Sequence, residues 1–245
     1  MAPKKTGLLI AALALGVGAA YYGSRRFNKP APAPGLASDP AEAPAALPPG
    51  LPPLEESDEF VRGRAAALSS APAFREWLKQ GSLIARLSAA MELVAKGEVP
   101  RDTFAAFAPR GKFRVVRKNG LTVADPAGFA RYDAFAAMVG SVDAVAAARL
   151  LEELLPLFDA ASRELGSRKA DSRAAFLAAA QELLDAPVPG EAALKPGKKG
   201  IGWVYADESL EDLSLAQKQL LRMGPANQAA VQAKLRAVTL ALGGR

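Results

Sequence analysis

Nine of the chain's nineteen prolines fall within residues 30–54, mixed with alanine and glycine as PAPAPG, PAEAPAALPPG and LPPL. Proline lacks a backbone N–H and has a fixed φ, so this stretch can enter neither a helix interior nor a sheet interior. It reads as an extended, polyproline-like, disordered spacer. At ~3.1 Å per residue its 25 residues reach roughly 80 Å. The spacer divides the 245-residue chain. Residues 1–29 stand alone on one side. Folded structure is confined to residues 55–245, which are enough to bury a core.

Residues 7–23, GLLIAALALGVGAAYYG, carry no charge, and Lys4, Lys5, Arg25 and Arg26 flank them. As a helix they are roughly 25 Å long, against ~30 Å of hydrocarbon, a gap that snorkelling basic side chains cover. Tyr21 and Tyr22 stand at one end, where amphipathic rings favour the interface. The segment reads as a single transmembrane anchor. The rival reading is a cleaved signal peptide, with Gly18 and Ala20 as the small residues before a cut at Tyr21. Flanking positive charge is nearly balanced. A short N-terminal tail that stays in the cytoplasm puts the bulk of the chain outside it.

Cysteine and histidine are both absent. That removes disulfides, the usual zinc sites, thiol nucleophiles and histidine-based triads. No P-loop, dinucleotide fingerprint, HExxH or SxxK motif occurs. The sequence therefore assigns no catalytic residue, no metal ligand and no cofactor. The net charge is +6. Residues 213–245 hold Lys218, Arg222, Lys234, Arg236 and Arg245 without a single acid. The run Asp207, Glu208, Glu211, Asp212 just upstream offers this tail an internal partner.

Helical spacing dominates beyond residue 55, and the expected class is mainly α with one or two short β-hairpins. Asp58 reads as the cap of a first helix that Pro72 ends. Phe74, Trp77 and Leu78 share one face, and Leu83, Leu87, Met91 and Val94 mark a longer helix. FRVVRK, Asn119-Gly120 and LTV form the favoured two-residue hairpin signal, with Val116 opposite Val123 and Arg114 opposite Asp125. A long segment, residues 141–165, puts Leu151, Leu154, Leu155, Phe158 and Leu165 on one face, with a kink or break expected at Pro156. Asp171 caps a further helix. Residues 201–205 read as a short strand, paired with residues 192–195. Ser214 and Gln217 form a capping box, Gly224 and Pro225 end that helix, and Val231, Leu235, Val238 and Leu242 stripe the last one.

The candidate binding residues lie in these last two helices. Lys218 and Arg222 share a face at i, i+4, and Asn227 and Lys234 border the apolar stripe. Such groups either line a groove for an anionic ligand or cap neighbouring elements. No aromatic follows Tyr205, and the basic residues are sparse, which argues against nucleic acid.

LPPLEESDEFVR (residues 51–62), FAPRGKFRV (107–115), the DPxxFxRYD run (125–133) and above all LSLAQKQLLRMGPANQAAVQAKLRAV (213–238) resemble the bacterial family called domain of unknown function 3014. The similarity takes in nearly all of residues 51–242. It implies the same plan of membrane segment, proline-rich linker and helical domain, which favours the anchor over the cleaved signal; with the N-terminal tail in the cytoplasm, the expectation is a single-pass protein of the bacterial inner membrane with a periplasmic domain. It implies no activity. Two departures stand out: Trp203-Val-Tyr205 where a Tyr-x-Phe-like pattern is expected, and Ala229-Ala230 where basic residues are more usual. The first keeps aromatic character. The second weakens an anion-binding face on the last helix.

Three functions follow as expectations. The first is a membrane-tethered, non-enzymatic interaction module with an envelope protein as partner. The second is a binder of anionic polymer or lipid through the basic tail. The third is a hydrolase that uses two facing carboxylates.

Overall fold

A computed structural model of the protein describes residues 47–167 and 169–243. The apolar stretch at residues 7–23 and linker residues 30–46 lie outside them. Among the described residues no single helix is long and apolar enough to cross a membrane. The described part is mainly helical with two short antiparallel hairpins.

The chain enters the core early. Leu47, Leu51 and Leu54 already pack against it. A 3-10 turn (Leu54–Glu56) leads into α1 (Ser57–Ala65). Asp58 sits inside this helix, and its carboxylate caps a different one. It accepts from the backbone N–H of Ser82 at 2.6 Å and of Leu83 at 2.8 Å, at the start of α3 (Leu83–Ala95). A charged cap of this kind stabilises a helix by about 1 kcal/mol. Pro72 also differs from expectation. α1 has ended by Ala65, and Pro72 opens α2 (Pro72–Trp77) from its first turn. The missing N–H is harmless there, because first-turn amides have no helical partner. Phe74, Trp77 and Leu78 are buried together, as their spacing requires.

β1 (Val115–Lys118) and β2 (Leu121–Ala124) pair in the predicted register, with Val116 opposite Val123. Asn119 and Gly120 both have positive φ, which a two-residue type I′ turn demands. Beyond the strands, Arg114 Nε donates to Asp125 Oδ2 at 2.8 Å. A 3-10 stretch (Pro126–Tyr132) follows, then α4 (Asp133–Gly140).

α5 (Ala144–Glu164) runs unbroken through Pro156. Leu154, Leu157 and Phe158 around the proline are fully buried, and this packing holds the helix together across the lost hydrogen bond. Leu165 leaves the expected face because the helix has ended. It is 53% exposed. α6 (Ser172–Leu184) is capped by Asp171, whose side chain accepts from Ala174 N–H. β3 (Leu194–Pro196) pairs with β4 (Trp203–Tyr205), slightly later than the expected partner segment. A single bridge between Val123 and Ala193 joins the two hairpins.

α7 (Glu208–Glu211), α8 (Leu215–Leu221) and α9 (Pro225–Gly243) complete the chain. Ser214 and Gln217 form the capping box in full. Val231, Leu235, Val238 and Leu242 are each at most 1% exposed. They seat α9 against α4, α5 and α6, while α3 packs on α5 and α6.

Candidate functional site

The four residues singled out in the last helices are drawn into the fold at separate places. Lys218 Nζ donates to the Glu211 carbonyl at 2.5 Å and to its carboxylate at 3.0 Å. The acidic run upstream is thus the internal partner of the basic tail at this point. Arg222 reaches the Trp203 carbonyl at 3.5 Å and lies 6.0 Å from the ring centre of Phe113. Its charge also stands near the Tyr205 hydroxyl, which burial pushes up to about 12 against the pull of Arg222. Asn227 donates to the carbonyls of Phe129 and Met223 and, at 2.9 Å, to Asp133 Oδ1. Lys234 donates to the Val142 carbonyl, at the junction of α4 and α5. Only Lys218 and Arg222 are neighbours.

The glutamines of the same segment have a shared task that linear spacing does not reveal. The last turn of a helix leaves carbonyls without intrahelical donors. Beyond α6, Gln232 Nε2 donates to Leu183 O at 2.9 Å and Ala186 O at 2.8 Å. Gln228 Nε2 donates to Pro187 O at 2.7 Å, and Gln217 Nε2 to Glu182 O at 3.0 Å. Gln228 and Gln232 are buried to within 2%. Much of the QKQLLRMGPANQAAVQ stretch is therefore explained by closing α6. Gly224 has a local reason as well. Its φ is +83°, and a Cβ there would stand 2.4 Å from Phe129 Cγ.

One surface recess is a groove of about 760 Å³ between α2 and the Pro126–Tyr132 stretch with α4, a size typical of ligand sites. Trp77, Phe107 and Phe135 line it. Trp77 is fixed by its Nε1 donating to Thr103 O at 3.1 Å and by stacking on Phe104 at 6.1 Å. Phe107 meets Phe135 edge-on at 5.5 Å. The charged groups are Arg110, Arg131 and Glu76, and Glu76 is bound to Lys79 at 2.6 Å.

Arg131 is placed by the turn before it. Asp125 Oδ1 accepts from Ala127 N–H at 3.0 Å and starts the 3-10 stretch. The Arg114 guanidinium first, and this N–H second, hold the Asp125 carboxyl below its usual range. Tyr132, at the end of the stretch, is buried with its hydroxyl 3.2 Å from Gln219 Nε2. Arg131 lies over that ring and over Phe113.

A smaller recess, about 290 Å³, is bounded by Phe129, Asp133, Gly224 and Asn227. Its one carboxylate, Asp133, is engaged by Asn227. Among the described residues no group of three acids is placed to hold a metal ion.

Both walls of the groove come from the FAPRGKFRV and DPxxFxRYD segments, together with α2. The model of a family described as a protein of unknown function (DUF3014) matches residues 83–239, well over half of the chain. The chain belongs to the DUF3014 family. No curated protein and no solved structure matches it. The matched region holds Phe107, Phe113, Arg131 and Phe135, and the glutamines that close α6, whereas α1 and α2 precede it. Of the groove residues, Arg131 was visible in the sequence only as part of a DUF3014-like motif, and Phe113, which lies against it, also as the start of the hairpin. Their meeting depends on a hairpin folding back towards a turn.

Proposed function

We propose that the protein is a membrane-tethered, non-enzymatic interaction module of the bacterial envelope. Residues 7–23 anchor it in the inner membrane, the proline-rich spacer extends it outward, and the periplasmic domain presents the groove to a segment of another envelope protein. The observation that carries this reading is the groove itself. It is an open recess lined by three aromatic rings, two guanidinium groups and one carboxylate, which is the composition of a docking site.

The same geometry weighs against the two rivals. Each recess offers a single carboxylate, and each is already engaged, whereas glycoside hydrolysis needs two facing each other. Lys218 and Lys234 donate to backbone carbonyls, which takes two of the tail's cations away from an anionic surface.

The test is photo-crosslinking in intact cells. A photoreactive residue at Ala106, on the exposed lip of the groove, should give a discrete adduct in the membrane fraction. Ala134→Trp, which fills the groove, should abolish it. The same probe at Leu240, 74% exposed on α9, should not give that adduct. Identical adducts from both positions, or an adduct indifferent to Ala134→Trp, would refute the reading.

A further inference from the structure

Arg131 has the position and the unused donors that narrow the choice of ligand. Its guanidinium lies 5.5 Å from the ring centre of Phe113 and 5.0 Å from that of Tyr132. Phe113 is itself flanked by Arg222. Stacking on rings restrains the plane of a guanidinium and leaves its N–H groups, which point outward in that plane, unoccupied. Arg131 Nε is buried with no hydrogen-bond partner. Four other arginines, Arg62, Arg64, Arg114 and Arg173, reach carboxylates of the same chain. Arg131 is one of several arginines that form no ion pair among the described residues, and it is the one whose Nε is buried without a partner.

Leaving a guanidinium half-buried and unpaired is costly, and the cost is recovered when an anion arrives. We infer that Arg131 is a carboxylate-binding residue, and that the groove takes an extended acidic segment of a partner protein. That segment carries Asp or Glu within a residue or two of an apolar or aromatic side chain. The planar fork of arginine matches a carboxylate through two parallel hydrogen bonds. The apolar neighbour would lie on Phe107, the partly exposed ring of the groove, beside the buried Trp77 and Phe135. Arg110, exposed on the same groove, offers a second contact to a segment with two acids. A polyanion is a poorer match. Binding to a lipid surface or nucleic acid draws on many phosphate contacts, and this groove has two arginines, no lysine and a largely apolar lining.

The inference rests on the groove being a docking site, and its test separates the two claims. Full-length protein in detergent micelles would carry Trp203→Phe, so that Trp77 is the one remaining tryptophan of the two in the chain. Its emission is titrated with acetylated, amidated hexapeptides holding Glu beside Phe or Leu, and with the same peptides holding Gln. The acidic set should bind about tenfold tighter. The difference should vanish in Arg131→Gln, and most of it in Arg131→Lys, which keeps the charge and loses the fork. Equal binding of both sets to native Arg131 overturns the carboxylate assignment and leaves the groove a docking site. Full discrimination retained in Arg131→Gln overturns it as well. Failure of every peptide to bind removes both claims. The peptide pair is read on protein with Arg131 intact, so a variant that folds poorly cannot hide the answer.

Discussion

Replacing Gln232 by methionine removes the donor that closes α6 while nearly preserving side-chain length and volume. Two buried carbonyls lose a partner, Leu183 O at 2.9 Å and Ala186 O at 2.8 Å. Neither is stripped bare. Ala186 N–H still approaches Leu183 O at 3.4 Å, and Gln228 Nε2 still approaches Ala186 O at 3.3 Å. Losing one good hydrogen bond at each of two partly supported acceptors costs about 1 kcal/mol apiece, hence about 2 kcal/mol. Gln228 is the control. Gln228→Met removes the 2.7 Å bond to Pro187 O. It also removes Gln228 Oε1, which is buried with no partner, so relief of that desolvation offsets part of the loss. Gln228→Met should therefore cost under about 1 kcal/mol. Urea and thermal unfolding of the full-length protein in detergent, followed by far-UV circular dichroism, measure both. For a domain of this size the thermal midpoint should fall about 4–8 °C in Gln232→Met and about half that or less in Gln228→Met. Equal losses, or a larger loss in Gln228→Met, would refute the claim that these glutamines act as helix caps with the hydrogen bonds described.

Two further perturbations follow. Gly224→Ala must place a Cβ 2.4 Å from Phe129 Cγ at φ +83°. Left-handed strain and overpacking together should cost about 3 kcal/mol, read by the same unfolding curves; a loss under about 1 kcal/mol would show that Phe129 moves aside freely. Asp125 gives the pH dependence. Its folded carboxyl lies below the ordinary value of 3.8, so its contribution is present above that value and is lost as pH falls through the lowered folded one. Between about pH 5 and pH 2 the native protein should lose stability more steeply than Asp125→Asn, with the two curves converging at the acid end. Parallel curves would mean that the Arg114 contact contributes nothing.

How much was legible from residues alone can be judged element by element. The Asn119-Gly120 hairpin, the Asp171 cap, the Ser214–Gln217 box and the stripe of α9 all appear as the sequence pattern requires. Each is a contact between residues a few positions apart, so spacing alone encodes it. The misreadings share the opposite property. Asp58 looks like the cap of its own helix, yet its carboxylate closes α3 across 24 and 25 positions. Pro72 looks like a stop and is a start, because its role depends on where α1 has already ended. Pro156 looks like a kink or a break, yet α5 continues past it among buried neighbours. Lys218 and Lys234 look like free cations until Glu211 and Val142 are brought against them.

The groove belongs to this second class. Arg131, Phe107 and Trp77 come from three segments, and no local pattern announces that they line one groove. Hydrogen bonding within a turn and apolar periodicity act over one to four residues. By themselves they determine the helical class, the hairpin and the local caps. Which carbonyls need a glutamine, which arginine keeps a buried donor without a partner, and which aromatic rings line the groove depend on burial. Burial is a property of distant segments packed together, so only the tertiary structure decides it.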